Sequence, residues 1–233
     1  TLSDDRRQRQ MCIRDRCTGV TSRRSVGRWG AALIAVLVPV VLLVACSDSP
    51  DESNLPKLEF LQFGDPEESL YCLPYAEGES YAVNNTYSTP GSHIGRFAYD
   101  FSMTFGSEIA VARAGTVVEA RDQYGDDEAI GGRENGVFIL HDDGTMAAYL
   151  HMSEGGVLVD VDDEVEAGDV IGVVGTSGTS PDNPHLHFEV FEGQGEGSMW
   201  YKTVPVNFRN ASGNLDRLGG LLERSYEALL CPL

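Results

Sequence analysis

Asn183-Pro184-His185-Leu186-His187-Phe188-Glu189-Val190 places two histidines two residues apart in a run of β-forming side chains. On a strand, residues i and i+2 point to the same face. His185, His187 and Glu189 are therefore expected on one face, with Leu186, Phe188 and Val190 entering a core from the other. Paired imidazoles on one strand face can meet a single metal ion. A lone His-x-His is weak evidence, so the rest of the chain must supply further ligands.

All five histidines lie between residues 93 and 187. Met146 to His151 reads as a strand on which Ala147, Tyr149 and His151 share a face. His151 ends it, at a position where loops and functional groups concentrate. His93 follows the loop signal Pro90-Gly91-Ser92, and Asp100 lies on the strand after it. His141 alternates with Val137 and Ile139 before a turn and reads as structural. Tyr149 borders the same region, although a packed aromatic is the default for such a residue. Asp160, Asp162, Asp163 and Glu164 form a charged turn without the ligand spacing of a calcium loop.

Short β-type runs recur between turn signals, and long helical periodicity is nearly absent. Expected strands are Leu58 to Phe63, Glu79 to Tyr87, Phe97 to Met103, Val137 to His141, Met146 to His151, Val157 to Val161, Val170 to Gly175 and Val204 to Phe208. Ile109 to Ala112 and Thr116 to Arg121 flank Arg113-Ala114-Gly115 and read as a hairpin, as do the strands around Asp142-Asp143-Gly144-Thr145. Apolar residues at helical spacing (Leu218, Leu221, Leu222, Tyr226, Leu229) predict a helix over Leu215 to Leu230. The fold class is all-β, with antiparallel sheets forming an open groove and a short C-terminal helix.

Four pieces in order carry a resemblance: Ser92-His93-Ile94-Gly95 with Tyr99-Asp100-Phe101, then Gly106 to Ala112, then Tyr149-Leu150-His151, then His185 to Glu189. Val165 to Gly172 and Gly175 to Gly178 add a glycine-marked hairpin. Together these pieces, over roughly 70–210, resemble the M23 (LytM/lysostaphin-type) zinc peptidases. The resemblance implies one Zn2+ per chain held by His93, Asp100 and His187, with a fourth position for water. It implies that His151 and His185 are the unligated catalytic histidines. Glu189 shares their face and is a candidate to support a ligand from behind. Six residues separate His93 from Asp100, where many family members have three. The implied activity is zinc metalloendopeptidase action on peptidoglycan cross-links, of the D-alanyl–diaminopimelate type in a Gram-negative wall. The alternative is a non-catalytic LytM-like regulator of cell-wall amidases. A biotinyl-type reading of the Val165 to Gly175 hairpin lacks a modifiable lysine at its tip.

The N-terminal part stands outside that domain. Residues 1–22 include Arg6 to Arg16, RRQRQMCIRDR, which reads as a translated sequencing adapter. Residues 23–45 read as a signal peptide: Arg23, Arg24 and Arg28 precede an apolar run, Ala31 to Ala45, of 15 residues. A bilayer span needs about 20. Leu43-Val44-Ala45-Cys46 resembles a lipoprotein lipobox, which implies cleavage before Cys46 and lipid on its sulfur. Residues 46–56 would be the acylated cysteine and tether, and 57–233 the peptidase-like domain with its tail. Ser47, not Asp, follows the cysteine, which favours the outer over the inner membrane for a periplasm-facing lipoprotein. Beyond residue 45 the chain has 9 basic and 33 acidic residues, a net charge of −24. That balance excludes nucleic acid as a partner. Expected partners are peptidoglycan stem peptides and, through the lipid, a membrane. In an exported, oxidising compartment Cys72 and Cys231 are expected to form a disulfide.

Overall fold

The computed structural model describes residues 63–87, 89–193, 202–213 and 220–232, all within the unit Pro50–Leu233. Cys46, the signal segment, the tether and all but Phe63 of the first expected strand lie outside the described residues. The strands are β1 (Ser80–Asn85), β2 (Ala98–Ser102), β3 (Glu108–Ala110), β4 (Gly115–Arg121), β5 (Asn135–Leu140), β6 (Thr145–Val157), β7 (Glu164–Val165), β8 (Val170–Val174), β9 (Leu186–Glu192) and β10 (Ser225–Glu227). They form an antiparallel sheet in the order β10-β1-β2-β9-β6-β5-β4-β7, with β8 pairing both β6 and β3. The all-β, antiparallel expectation holds.

Side-chain alternation gives the sheet two unlike faces. One buries Tyr99 and Phe101 of β2, Tyr149 of β6, and Leu186, Phe188 and Val190 of β9 in the main core with Phe208. Ring centroids there are 5.2 Å apart for Tyr149–Phe188 and 5.7 Å for Phe188–Phe208. Burying each such side chain contributes roughly 1.5–3 kcal/mol. The opposite face carries a smaller cluster of Phe138, Met146, Ala148 and Phe191, with Leu150 against it. Across that second face one register row runs Asn85–Asp100–His187–Leu150–Gly136–Arg121. Residues directly opposite on antiparallel strands project to the same side, so this row brings its side chains into one surface.

Four expected elements fail. Of the strand expected over Val157 to Val161 only Val157 is in a strand, as the last residue of β6, and Leu158 and Val161 are exposed. The Arg113-Ala114-Gly115 connector does not close a hairpin: β3 pairs with β8, while β4 pairs with β5 and β7. Its groups are engaged elsewhere, since Ala114 O accepts from His141 Nδ1 at 2.8 Å and Arg113 is paired with Asp142 and Asp143. The C-terminal helix is absent from the described residues 220–232, which instead place β10 against the edge of β1. Tyr226 and Ala228 are buried two apart, as on a strand, whereas Leu229 and Leu230 are exposed. Tyrosine hydroxyls anchor this segment: Tyr75 donates to Tyr226 O at 2.8 Å, and Tyr226 accepts from Leu222 N–H at 2.8 Å. Residues 204–208 form no strand, although Val206 and Phe208 are buried. Cys72 and Cys231 are joined as a disulfide, with Cys72 in an extended segment rather than a strand.

Candidate active site

His93, Asp100 and His187 meet on the second face, each offering one ligand atom, all within 4.8 Å of one another. Asp100 and His187 are register partners on β2 and β9. His93 arrives from the preceding turn, where Arg96 N–H donates to His93 O at 3.0 Å and Gly95 takes φ +73°. The longer spacing to Asp100 is thus taken up by a turn that returns to the strand. Asp100 Oδ1 lies 3.2 Å from His93 Nε2 and 2.9 Å from His187 Nδ1. All three residues are buried.

The chemistry of this donor set calls for a cation. Thr86 O, which can only accept, lies 2.9 Å from His93 Nδ1, so that nitrogen carries a proton and Nε2 is the atom turned towards Asp100. His187 has a carboxylate on either side, Asp100 at Nδ1 and Glu189 Oε1 at 3.2 Å from Nε2, the latter out of line for a hydrogen bond. Burial alone would lower the His187 pKa, but the two carboxylates push it up to about 9. Burial alone would raise Asp100, but hydrogen bonds from His187 and His93 hold it well below the usual carboxylate range. Positive charge between these groups comes either from protons or from one divalent ion. Two imidazole nitrogens and a carboxylate oxygen gathered within 4.8 Å of one another are a donor set that fits zinc.

His185 and His151 stand beside this cluster and outside its closest contacts. His185 Nδ1 donates to Asn183 O at 2.8 Å, and its Nε2 lies 3.9 Å from Asp100 Oδ1. His151 Nδ1 donates to Ser177 O at 2.8 Å, and its ring centroid is 4.6 Å from that of His185. Burial, followed by the charges of His185 and His187, lowers His151 to about 3. Its imidazole is neutral at pH 7, with Nε2 free to accept a proton. The Ser177 loop is itself tied down, because Ser177 Oγ donates to Met152 O at 2.7 Å and accepts from Asn135 N–H at 2.9 Å.

The face assigned to His151 by alternation is overturned. Tyr149 is packed in the core, its hydroxyl accepting from Ala112 N–H at 2.9 Å, and His151 should have followed it there. His151 instead adopts φ +67°, a left-handed conformation uncommon for a residue with a side chain. This break swings the imidazole to the opposite face. Sequence periodicity carries no sign of it.

Two further residues complete the site and were not singled out from sequence. Asn85 Nδ2 donates to Asp100 Oδ2 at 2.7 Å, fixing the carboxylate that its other oxygen shares with the histidines. Arg96 holds Glu189 through Nε at 3.0 Å and a second, shorter contact from Nη2. Burial would raise the Glu189 pKa, but His187 and Arg96 hold it down, so Glu189 stays anionic behind His187. Asn85 shares a register row with Asp100, a relation visible only once β1 and β2 are paired. The site opens into a cavity of about 360 Å³. A larger cavity of about 710 Å³ lies beside the disulfide and contains His141 but none of the clustered residues. His141 is buried, lines that other cavity and is held by Ala114 O, in agreement with its structural reading.

Comparison with known proteins places the chain. The model of Peptidase family M23 matches residues 95–199. The glycyl-glycine endopeptidase ALE-1 of Staphylococcus capitis is 35% identical over 117 residues, covering 49% of this chain and 29% of that protein. Lipoprotein NlpD of Yersinia enterocolitica is 35% identical over 91 residues, covering 39% of this chain and 84% of that protein. The solved structure of lysostaphin from Staphylococcus simulans aligns at 28% identity with a TM-score of 0.43, over 54% of this chain and 47% of that one. The chain thus spans under a third of ALE-1 but most of the NlpD sequence. On the family match and the NlpD relationship, this chain belongs to peptidase family M23.

Proposed function

We propose that this chain is a zinc-dependent endopeptidase that hydrolyses peptide cross-links of bacterial peptidoglycan, carried at the cell envelope by lipid on Cys46. The observation that carries this reading is the convergence of two imidazoles and a carboxylate within 4.8 Å, beside two histidines whose Nδ1 atoms are already committed to carbonyls. His93 Nε2, Asp100 Oδ1 and His187 Nδ1 would hold the ion, while Thr86 O, Asn85 and Glu189 orient them from behind. A zinc ion held there supplies a Lewis acid for the scissile carbonyl and acidifies water. His151 Nε2 accepts the proton from the attacking oxygen, and His185 Nε2 stands 3.9 Å from Asp100 to share in returning it to the leaving amine nitrogen. The apolar floor of Leu150, Phe138 and Phe191 excludes water beside the reacting groups.

The lipobox and the lipoprotein relative support an envelope location, with the outer membrane favoured by Ser47 and the D-alanyl–diaminopimelate bond favoured as the target. Soluble protein from Ser47 onward should release muropeptides from purified sacculi, and a chelator should stop the release. Failure to cleave when fully loaded with zinc, on both diaminopimelate and glycine-bridged walls, would leave the amidase-regulator reading in its place.

A further inference from the structure

The register row that carries Asp100 and His187 does not stop at the histidines. It continues past Leu150 and the bare backbone of Gly136 to Arg121 at the end of β4, and Asn85, Asp100, His187, Leu150 and Arg121 all line the same cavity. Strand spacing of about 4.8 Å sets the Arg121 backbone about 14 Å from that of His187. The side chain leans back towards the site: its guanidinium carbon lies 4.9 Å from the ring centroid of Phe138 on β5. That ring holds the cation by its face. Arg121 Nε lies 2.9 Å from Glu119 Oε1, and the side chain is only 20% exposed. Among the described residues, no hydrogen bond reaches its two terminal nitrogens. Arg96, the other arginine of this cavity, is engaged by Glu189. A part-buried cation with an open fork stands out where acidic residues outnumber basic ones 33 to 9 beyond residue 45.

We propose that Arg121 is a specificity residue that receives a free carboxylate of the substrate peptide, about two residues from the scissile amide. The guanidinium fork matches a carboxylate in plane and spacing. Lying over β5, it stands roughly two strand spacings, about 10 Å, from the strand of His187. Subtracting a hydrogen bond of about 3 Å leaves about two residues of extended chain at roughly 3.3 Å each. The inference rests on the peptidase reading above and adds which peptides the groove prefers. Cross-links through diaminopimelate keep carboxylates free near the cleaved bond, whereas glycine bridges have none.

The test compares zinc-loaded protein from Ser47 onward with its Arg121→Gln and Arg121→Lys variants. Two cross-linked peptide dimers serve as probes, identical except that the diaminopimelate carboxyls are free in one and amidated in the other. The wild type should favour the free dimer at least about tenfold in kcat/KM, with the difference in KM. Arg121→Gln should lose that preference, and Arg121→Lys, which keeps the charge without the fork, should retain part of it. Calorimetric titration of the same dimers reads binding independently of turnover. A wild-type preference that survives in Arg121→Gln, or equal wild-type binding of the two dimers, overturns the proposal. Preferential binding through Arg121 without cleavage of either dimer supports carboxylate recognition and removes the peptidase reading instead.

Discussion

His187 sits between two carboxylates, and that setting makes the metal-free protein sensitive to pH. Its pKa is raised from 6.5 to about 9, so its imidazolium contributes stability that is fully present below pH 6.5 and is lost as pH rises through about 9. The melting temperature of chelator-treated protein should fall across that window, by the equivalent of about 3 kcal/mol. Zinc-loaded protein, with Nδ1 committed to the ion, should show little of this fall; calorimetric scans of both forms check it. Asn85 acts one step further out. Asn85→Ala should weaken zinc binding about 10- to 100-fold, read by competition with a chromophoric chelator. His151→Ala should retain zinc but lose about 10²- to 10⁴-fold in kcat, measured on muropeptides alongside metal content.

Between β5 and β6 the sheet depends on an absent side chain. A Cβ on Gly136 would meet Tyr149 O at 2.3 Å and Leu150 Cδ2 at 2.9 Å, so Gly136→Ala should separate the two strands and cost about 2–4 kcal/mol, measured by urea unfolding. The strands themselves were largely legible in the sequence. The alternation of β9 reads correctly because Leu186, Phe188 and Val190 are all buried in the core while His185, His187 and Glu189 are all claimed by the site. What stayed hidden was non-periodic or non-local. The left-handed turn at His151 reverses a face without changing composition. Asn85 and Arg96 reach the site through pairing and a turn, which single-strand patterns do not encode. Leu222 and Tyr226 fit a helical spacing, but the edge of β1 offered hydrogen bonds that an isolated short helix could not match.

At the level of the whole molecule, the disulfide joins residues 159 positions apart and so constrains nearly the entire unfolded domain. Replacing Cys72 and Cys231 together by serine should lower unfolding free energy by about 2–4 kcal/mol, measured by guanidinium denaturation, while zinc stoichiometry is unchanged because Cys72 and Cys231 lie at the other cavity. The row from Asn85 to Arg121 has a different reach. It runs across the strands, so a peptide stretched along it cannot join the sheet as an extra strand and must be held by side chains and loops. A β-ladder would impose one handedness on its guest through the regular alternation of the backbone. A groove that reads carboxylates and apolar groups from above imposes none, and it can accept a polymer whose stereocentres switch between L and D along its length.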